Sequence, residues 1–107
     1  MEKQKLKIYI SGAISSIDYN EAYELFEHAE RVIESRGHHP VNPMKSEGER
    51  PGKTWAEYMA EDVVILDACD AIFMLHNWRQ SKGARIEHFW AEICEKKIFY
   101  QGSEIWD

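Results

Sequence analysis

No run in this sequence approaches the roughly 18 consecutive apolar residues of a membrane span, and its first residues do not resemble a signal peptide. The expectation is a cytoplasmic protein without a membrane partner. Cysteine is scarce. Cys69 and Cys94 are the only two, both in apolar helical stretches and without metal-ligand spacing. That argues against a disulfide framework, and free buried thiols are expected instead. Positive charge is in deficit: 13 Lys and Arg against 19 Asp and Glu give a formal net charge of −6. A protein that wraps a nucleic acid polymer needs a basic surface, so no such partner is expected. A small anionic ligand in a locally basic pocket remains compatible. Lys45, Arg50 and Lys53 gather in one loop and Arg79 and Lys82 in another, although scattered solubilising charge gives the same pattern. The G-x-G-x-x-G fingerprint and the P-loop are both missing. No serine–histidine pair has triad context. His38 and His39 fall on adjacent strand positions pointing opposite ways, which suits neither a shared metal nor a dyad. No metal and no cofactor is expected.

What is present describes one domain. At 107 residues, 44% hydrophobic and 30% charged, the chain fits a single globular domain over residues 1–107. Strand and helix signals alternate. Leu6–Ser11 is a short apolar run ending at Gly12. Tyr19–Arg36 is helical, with Ala22, Phe26, Ala29, Val32 and Ile33 on one face and Gly37 as its stop. His38–Val41 reads as a brief second strand, and Met44–Gly52 as a polar binding loop or lid. Thr54 and Glu57 have capping-box spacing before a helix running to about Ala68. Ala71–Leu75 is an apolar strand, His76–Gln80 a loop, Ser81–Glu95 a helix and Lys97–Tyr100 a last strand. This order predicts an α/β fold: a small doubly wound, mostly parallel sheet sandwich of flavodoxin-like or Rossmann-like kind. Such sheets bind ligands beyond the carboxyl ends of their strands. That edge carries Ser11–Ser16, Asn42 and His76–Ser81.

The stretch Ser81–Glu92 (SKGARIEHFWAE) stands out. Helical spacing puts Ala84, Glu87, His88 and Ala91 on one stripe, so small residues flank a carboxylate. The helix start offers N–H groups and a positive dipole end to an anion. An ordinary surface glutamate would carry the same local sequence. Asp62 interrupts the stripe Trp55, Tyr58, Met59, Val63, Leu66; an acid there must be paired, hydrogen-bonded or shifted in pKa unless it reaches solvent. Tyr9 lies three residues before Gly12 on the first strand, where tyrosines commonly just pack.

Taken together, five segments carry a resemblance: K-I-Y-I-S-G-A-I at 7–14, V-N-P at 41–43, W-x-x-Y-M-x-x-D at 55–62, L-x-x-C-D-A-I at 66–72 and S-x-G-A-x-x-E at 81–87. In their order and spacing the chain resembles the nucleoside 2-deoxyribosyltransferase superfamily, and within it the DUF4406 family. It is also similar to the branch containing 2′-deoxynucleoside 5′-phosphate N-hydrolase and the cytidylate-type N-glycosidases. The resemblance implies N-glycosidic cleavage or transfer on a small-molecule nucleotide or nucleoside. It gives Glu87 the part of nucleophile, Asp62 that of handling the proton on the leaving base, and Tyr9 that of orienting the nucleophile or sugar. It places Gly12, Ala13, Ile14, Asn42, Ser81, Gly83 and Ala84 around the substrate. Ser81 stands where nucleotide hydrolases carry a serine for the 5′-phosphate and nucleoside transferases an aspartate, which tilts the expectation to a 5′-monophosphate and to hydrolysis. Arg79 and Lys82 lie beside it. Ala13, Ser15, His88, Phe89 and the length of the His76–Gln80 loop depart from the hydrolase pattern.

A catalytically silent nucleotide-binding module and an NAD glycohydrolase are the competing expectations. Relatives in the superfamily assemble as dimers or larger. The tryptophans Trp55, Trp78, Trp90 and Trp106 suggest apolar surface to hide, or aromatic filling of a small core. A homodimer or higher homo-oligomer is expected.

Overall fold

A computed structural model describes residues 4–46 and 52–103. Four strands, β1 (Lys7–Ser11), β2 (His39–Val41), β3 (Ala71–Met74) and β4 (Lys97–Tyr100), form one sheet in the order β2-β1-β3-β4. Every pairing is parallel. The strand order turns at β1/β3, which makes that junction the switch point of a doubly wound sheet. The expected α/β sandwich is therefore the observed fold.

The period of two along β1 divides the core. Ile8 and Ile10 face helix α1 (Tyr19–Ser35), packing with Phe26, Ala29 and Ile33. Tyr9 faces the other way, where Leu66 of α3 (Trp55–Asp67) and Ala84 and Ala91 of α4 (Lys82–Ile93) cover the sheet. The helix ends follow local chemistry. Asp18 accepts from the Glu21 N–H to start α1, and Gly37 takes a positive φ of 82° just past its end. Thr54 and Glu57 complete the expected capping box of α3.

Several expectations need correction. The loop foreseen from Met44 begins instead as a helical turn, α2 (Pro43–Ser46), which the Asn42 side chain starts by accepting from the Met44 N–H at 3.0 Å. Residues 47–51 of that loop, Arg50 among them, lie outside the described residues, as does Trp106. A short 3₁₀ turn, Trp78–Gln80, occupies the loop after β3. The apolar stripe of α3 is only partly used: Leu66 is buried, whereas Trp55 is 52% exposed, because α3 packs on α4 rather than along the sheet. Cys69 is buried as expected, but Cys94 is exposed at the carboxyl end of α4, beyond the last turn that faces the sheet. Among the described residues, no helix is long and apolar enough to cross a membrane.

β2 lies at one margin of the sheet and has Pro40 at its centre, paired with Ile8. His39 turns its N–H inward to the Leu6 carbonyl at 2.8 Å. Successive residues of a strand alternate in direction, so the position of Pro40 is one whose N–H would have pointed outward.

Candidate active site

The site is assembled from β1 and α4. Tyr9 and Ser11 are two apart on β1 and project to the same side of the sheet. α4 crosses above them, held close by the small side chains Ala84 and Ala91, which are 1% and 0% exposed. Glu87 lies on that inner stripe, one turn from each alanine, and its carboxylate reaches the strand. The Tyr9 hydroxyl donates to Glu87 Oε2 at 2.8 Å, and the Ser11 hydroxyl donates to Oε1 at 2.6 Å. Both carboxylate oxygens therefore accept a hydroxyl, and Glu87 is only 5% exposed. This is not an ordinary surface glutamate.

Burial pushes the Glu87 carboxyl up to about 7, with the charge of Asp62 adding to the rise and the Ser11 and Tyr9 hydroxyls opposing it. The Tyr9 hydroxyl is raised well above its usual range, first by burial and then by the charges of Glu87 and Asp62. Asp62, half-buried on α3, rises to about 6 through desolvation and the neighbouring Glu61, with Lys53 acting against it. Two acids and a tyrosine thus share one electrostatic environment.

The other foreseen residues sort differently. Gly12 is required by packing: a Cβ there would lie 2.6 Å from Leu75 Cδ1. Ala13 is fully buried, and its N–H donates to Asn77 Oδ1 at 2.9 Å, tying the loop after β1 to the loop after β3. Ile14 turns away to the core beneath α1. Gly83 lets α4 approach α3, since a Cβ would stand 3.0 Å from Met59 Sδ. Ser81 caps α4, its hydroxyl accepting from the Ala84 N–H at 3.1 Å, and Arg79 lies over the Trp78 ring. Asn42 is 7% exposed, and its Nδ2 finds no hydrogen-bond partner among the described residues. His88, directly after Glu87, stacks on Trp78 with ring centroids 4.2 Å apart and shares a 2.7 Å hydrogen bond with Tyr100.

Ser11 and Asn77 fall in ranges the sequence placed on the ligand-binding edge, but neither was given a part of its own. For Ser11 the signal was present: a polar residue in an otherwise apolar strand, in phase with Tyr9. For Asn77 no local pattern announces a partner 64 residues away. No group of three or more His, Cys, Asp or Glu side chains able to hold a metal occurs among the described residues.

Solved structures share this architecture. A 2-deoxyribosyltransferase from the psychrotolerant bacterium Bacillus psychrosaccharolyticus is similar with a TM-score of 0.68 and 18% identity, over 92% of this chain and 76% of that one. A 2-deoxyribosyltransferase from Leishmania mexicana is similar with a TM-score of 0.64 and 20% identity, over 91% of this chain. The chain spans 63% of the Leishmania protein's length. At these identities the likeness is one of fold. No curated protein matches the sequence. The family model of a domain of unknown function, DUF4406, matches residues 6–100, nearly the whole folded unit, and the chain belongs to that family.

Proposed function

We propose that this protein cleaves or transfers the N-glycosidic bond of a nucleoside 5′-monophosphate, with Glu87 as nucleophile and hydrolysis as the outcome. The observation that carries the reading is the buried Glu87 carboxylate gripped at both oxygens by Tyr9 and Ser11, at the switch point of the sheet. A carboxylate held in this way splits glycosidic cleavage into two displacements. In the first, a Glu87 oxygen bonds to the anomeric carbon while the bond to the base nitrogen breaks and Asp62 supplies the proton that the departing base takes up. In the second, water attacks the glycosyl ester, Asp62 accepts its proton, and Glu87 is released. A second base in place of water would make the reaction a transfer, the activity named for the two similar solved structures. Preference for hydrolysis and for a 5′-phosphate rests on Ser81 at the start of α4, with Arg79 and Lys82 beside it.

A second reading, a nucleotide-binding module without turnover, is favoured by one specific observation. Glu87 is almost closed to solvent and holds a proton up to about pH 7, whereas a nucleophile needs the ionised form and an approach to the sugar. One experiment separates the two: chromatographic detection of free base from a panel of ribo- and deoxyribonucleoside 5′-monophosphates, nucleosides and NAD, beside Glu87→Ala. Base release from monophosphates that disappears in the variant establishes the glycosidase. Release from NAD alone makes the protein an NAD glycohydrolase. Ligand-induced stabilisation with no release establishes the binding module.

The proposal includes a homodimer. The outer side of α4 exposes Ile86, Phe89 and Ile93 at 43%, 61% and 59%, a stripe at helical spacing that continues into a cleft with Lys82 and Arg85. Two copies related by a two-fold axis would lay this helix antiparallel on itself, setting Arg85 of one copy against Glu92 of the other. Light scattering of the protein should give a dimer mass, and Phe89→Glu a monomer. A monomer mass for the unaltered chain at working concentration overturns this assembly.

A further inference from the structure

The two hydroxyls on Glu87 do not have the same origin or the same consequence. Tyr9 is a long side chain whose ring also fills the core between β1, α3 and α4. Ser11 is short and 1% exposed, and its contact with Oε1, at 2.6 Å, is the shorter of the two. An O–H···O distance in this range is characteristic of a hydroxyl donating to a charged carboxylate. The Ser11 carbonyl is separately engaged by the Leu75 N–H at 2.8 Å, which fixes the backbone from which the hydroxyl projects. The carboxylate is therefore fastened at both ends to one rigid strand, and its plane cannot turn about the last side-chain bond without breaking a buried hydrogen bond.

We infer that Ser11 is a positioning residue for the proposed reaction: it pins Oε1 of Glu87 to β1, so that the carboxylate is presented in one orientation and its ionised form is favoured against the pull of burial. The inference rests on the glycosidase reading for its catalytic meaning, but its physical content concerns the free protein. A group in a site this dry has few ways to stay ionised. The titratable groups facing Glu87 are Tyr9 from β1 and Asp62 from α3, and the charge of Asp62 works against ionisation. On β3 the residues of that face, Ile72 and Met74, are apolar, as are Ala84 and Ala91 along the inner stripe of α4. His88, next along α4, is turned to Tyr100 and Glu92. The two hydroxyls are the opposing influence, with Ser11 the larger.

The test compares the unaltered protein with Ser11→Ala and Ser11→Cys, the second being close in size to serine but a weak donor. Two readouts are used. The first, which needs no substrate, is the titration of the Glu87 side-chain carboxyl carbon by ¹³C NMR. Its midpoint should move to higher pH in Ser11→Ala and by less in Ser11→Cys, with thermal unfolding showing both variants folded. The second is the pH profile of base release. A tenfold weaker ionisation lowers the charged fraction at pH 7 about fivefold; kcat relative to the unaltered protein should fall by that factor at pH 7, and the two should converge by about pH 9, with KM unchanged. An unmoved Glu87 midpoint in folded Ser11→Ala overturns the inference, whatever the activity. A loss of kcat that is equal at every pH also overturns it, because that is the mark of a merely structural role. Silence of the whole substrate panel would overturn the glycosidase reading, while the titration would still decide what Ser11 does to Glu87.

Discussion

The two faces of the sheet are built from the same strands and have different occupations. Beneath α1 everything that meets is apolar: Ile8, Ile10, Phe26, Ile33, Phe73 and Phe99 form a core without a charge in it. Beneath α3 and α4 the sheet presents Tyr9 and Ser11 to a buried glutamate, with an aspartate within electrostatic reach. One residue of β1 after another alternates between these worlds. The difference teaches how a domain of 107 residues carries a costly site. One face concentrates the hydrophobic stabilisation, and the other tolerates an acid whose desolvation works against folding. Small residues on α4 make that second face possible, since they bring the helix close enough for a glutamate side chain to span to the strand.

The sharpest way to break the comparison is to remove function from one face and stability from the other. Under the proposed glycosidase reading, Glu87→Gln should lower base release by a factor on the order of a thousand or more, because the amide cannot form the glycosyl ester; kcat on the best monophosphate checks it. Phe26→Ala, on the quiet face, should cost about 3–4 kcal/mol of unfolding free energy by denaturant titration, through lost burial and the cavity left behind. Glu87→Gln should also move stability the opposite way. The glutamate titrates ordinarily near 4.5 and at about 7 when folded. Between those values the native state binds more protons than the unfolded one, so stability falls as pH rises through that window, and the deficit is complete above it. The glutamine variant, uncharged throughout, should therefore gain about 3 kcal/mol over the unaltered protein above roughly pH 7.5 and nearly nothing at about pH 4. Equal stabilities at alkaline pH would mean that the two faces are less different than their contents suggest. The smallest effect belongs to Thr54→Ala, which removes the capping box of α3 and should cost about 1 kcal/mol, with little change in Glu87.

Much of this was legible before the structure. Alternation of strand and helix signals gave the parallel sheet, because each segment was long enough for one period to dominate. Glu87 and Tyr9 could be singled out by type and place, and the structure joins them directly. What the sequence left open was who approaches the small residues: Gly12 admits Leu75, Gly83 admits Met59 and Ala84 packs toward the sheet. A sequence records that a site must be small without recording who approaches it. The α3 stripe failed for a related reason: a 3.6-residue period marks a face that is apolar, not a face that is covered, and Trp55 stays exposed.

Pro40 has a bearing on how this molecule behaves in a crowd. A sheet margin is an open template, onto which any passing extended chain can zip. At β2 the donor that such a chain would need first has been deleted from the backbone, and the His38 N–H next along that side is already given to Ile33. The strand accepts its inner neighbour, and toward a newcomer it presents the Pro40 carbonyl without the matching donor. The consequence is colloidal rather than catalytic: copies of this protein meeting at high concentration find fewer free donors at the β2 margin from which to grow a shared sheet.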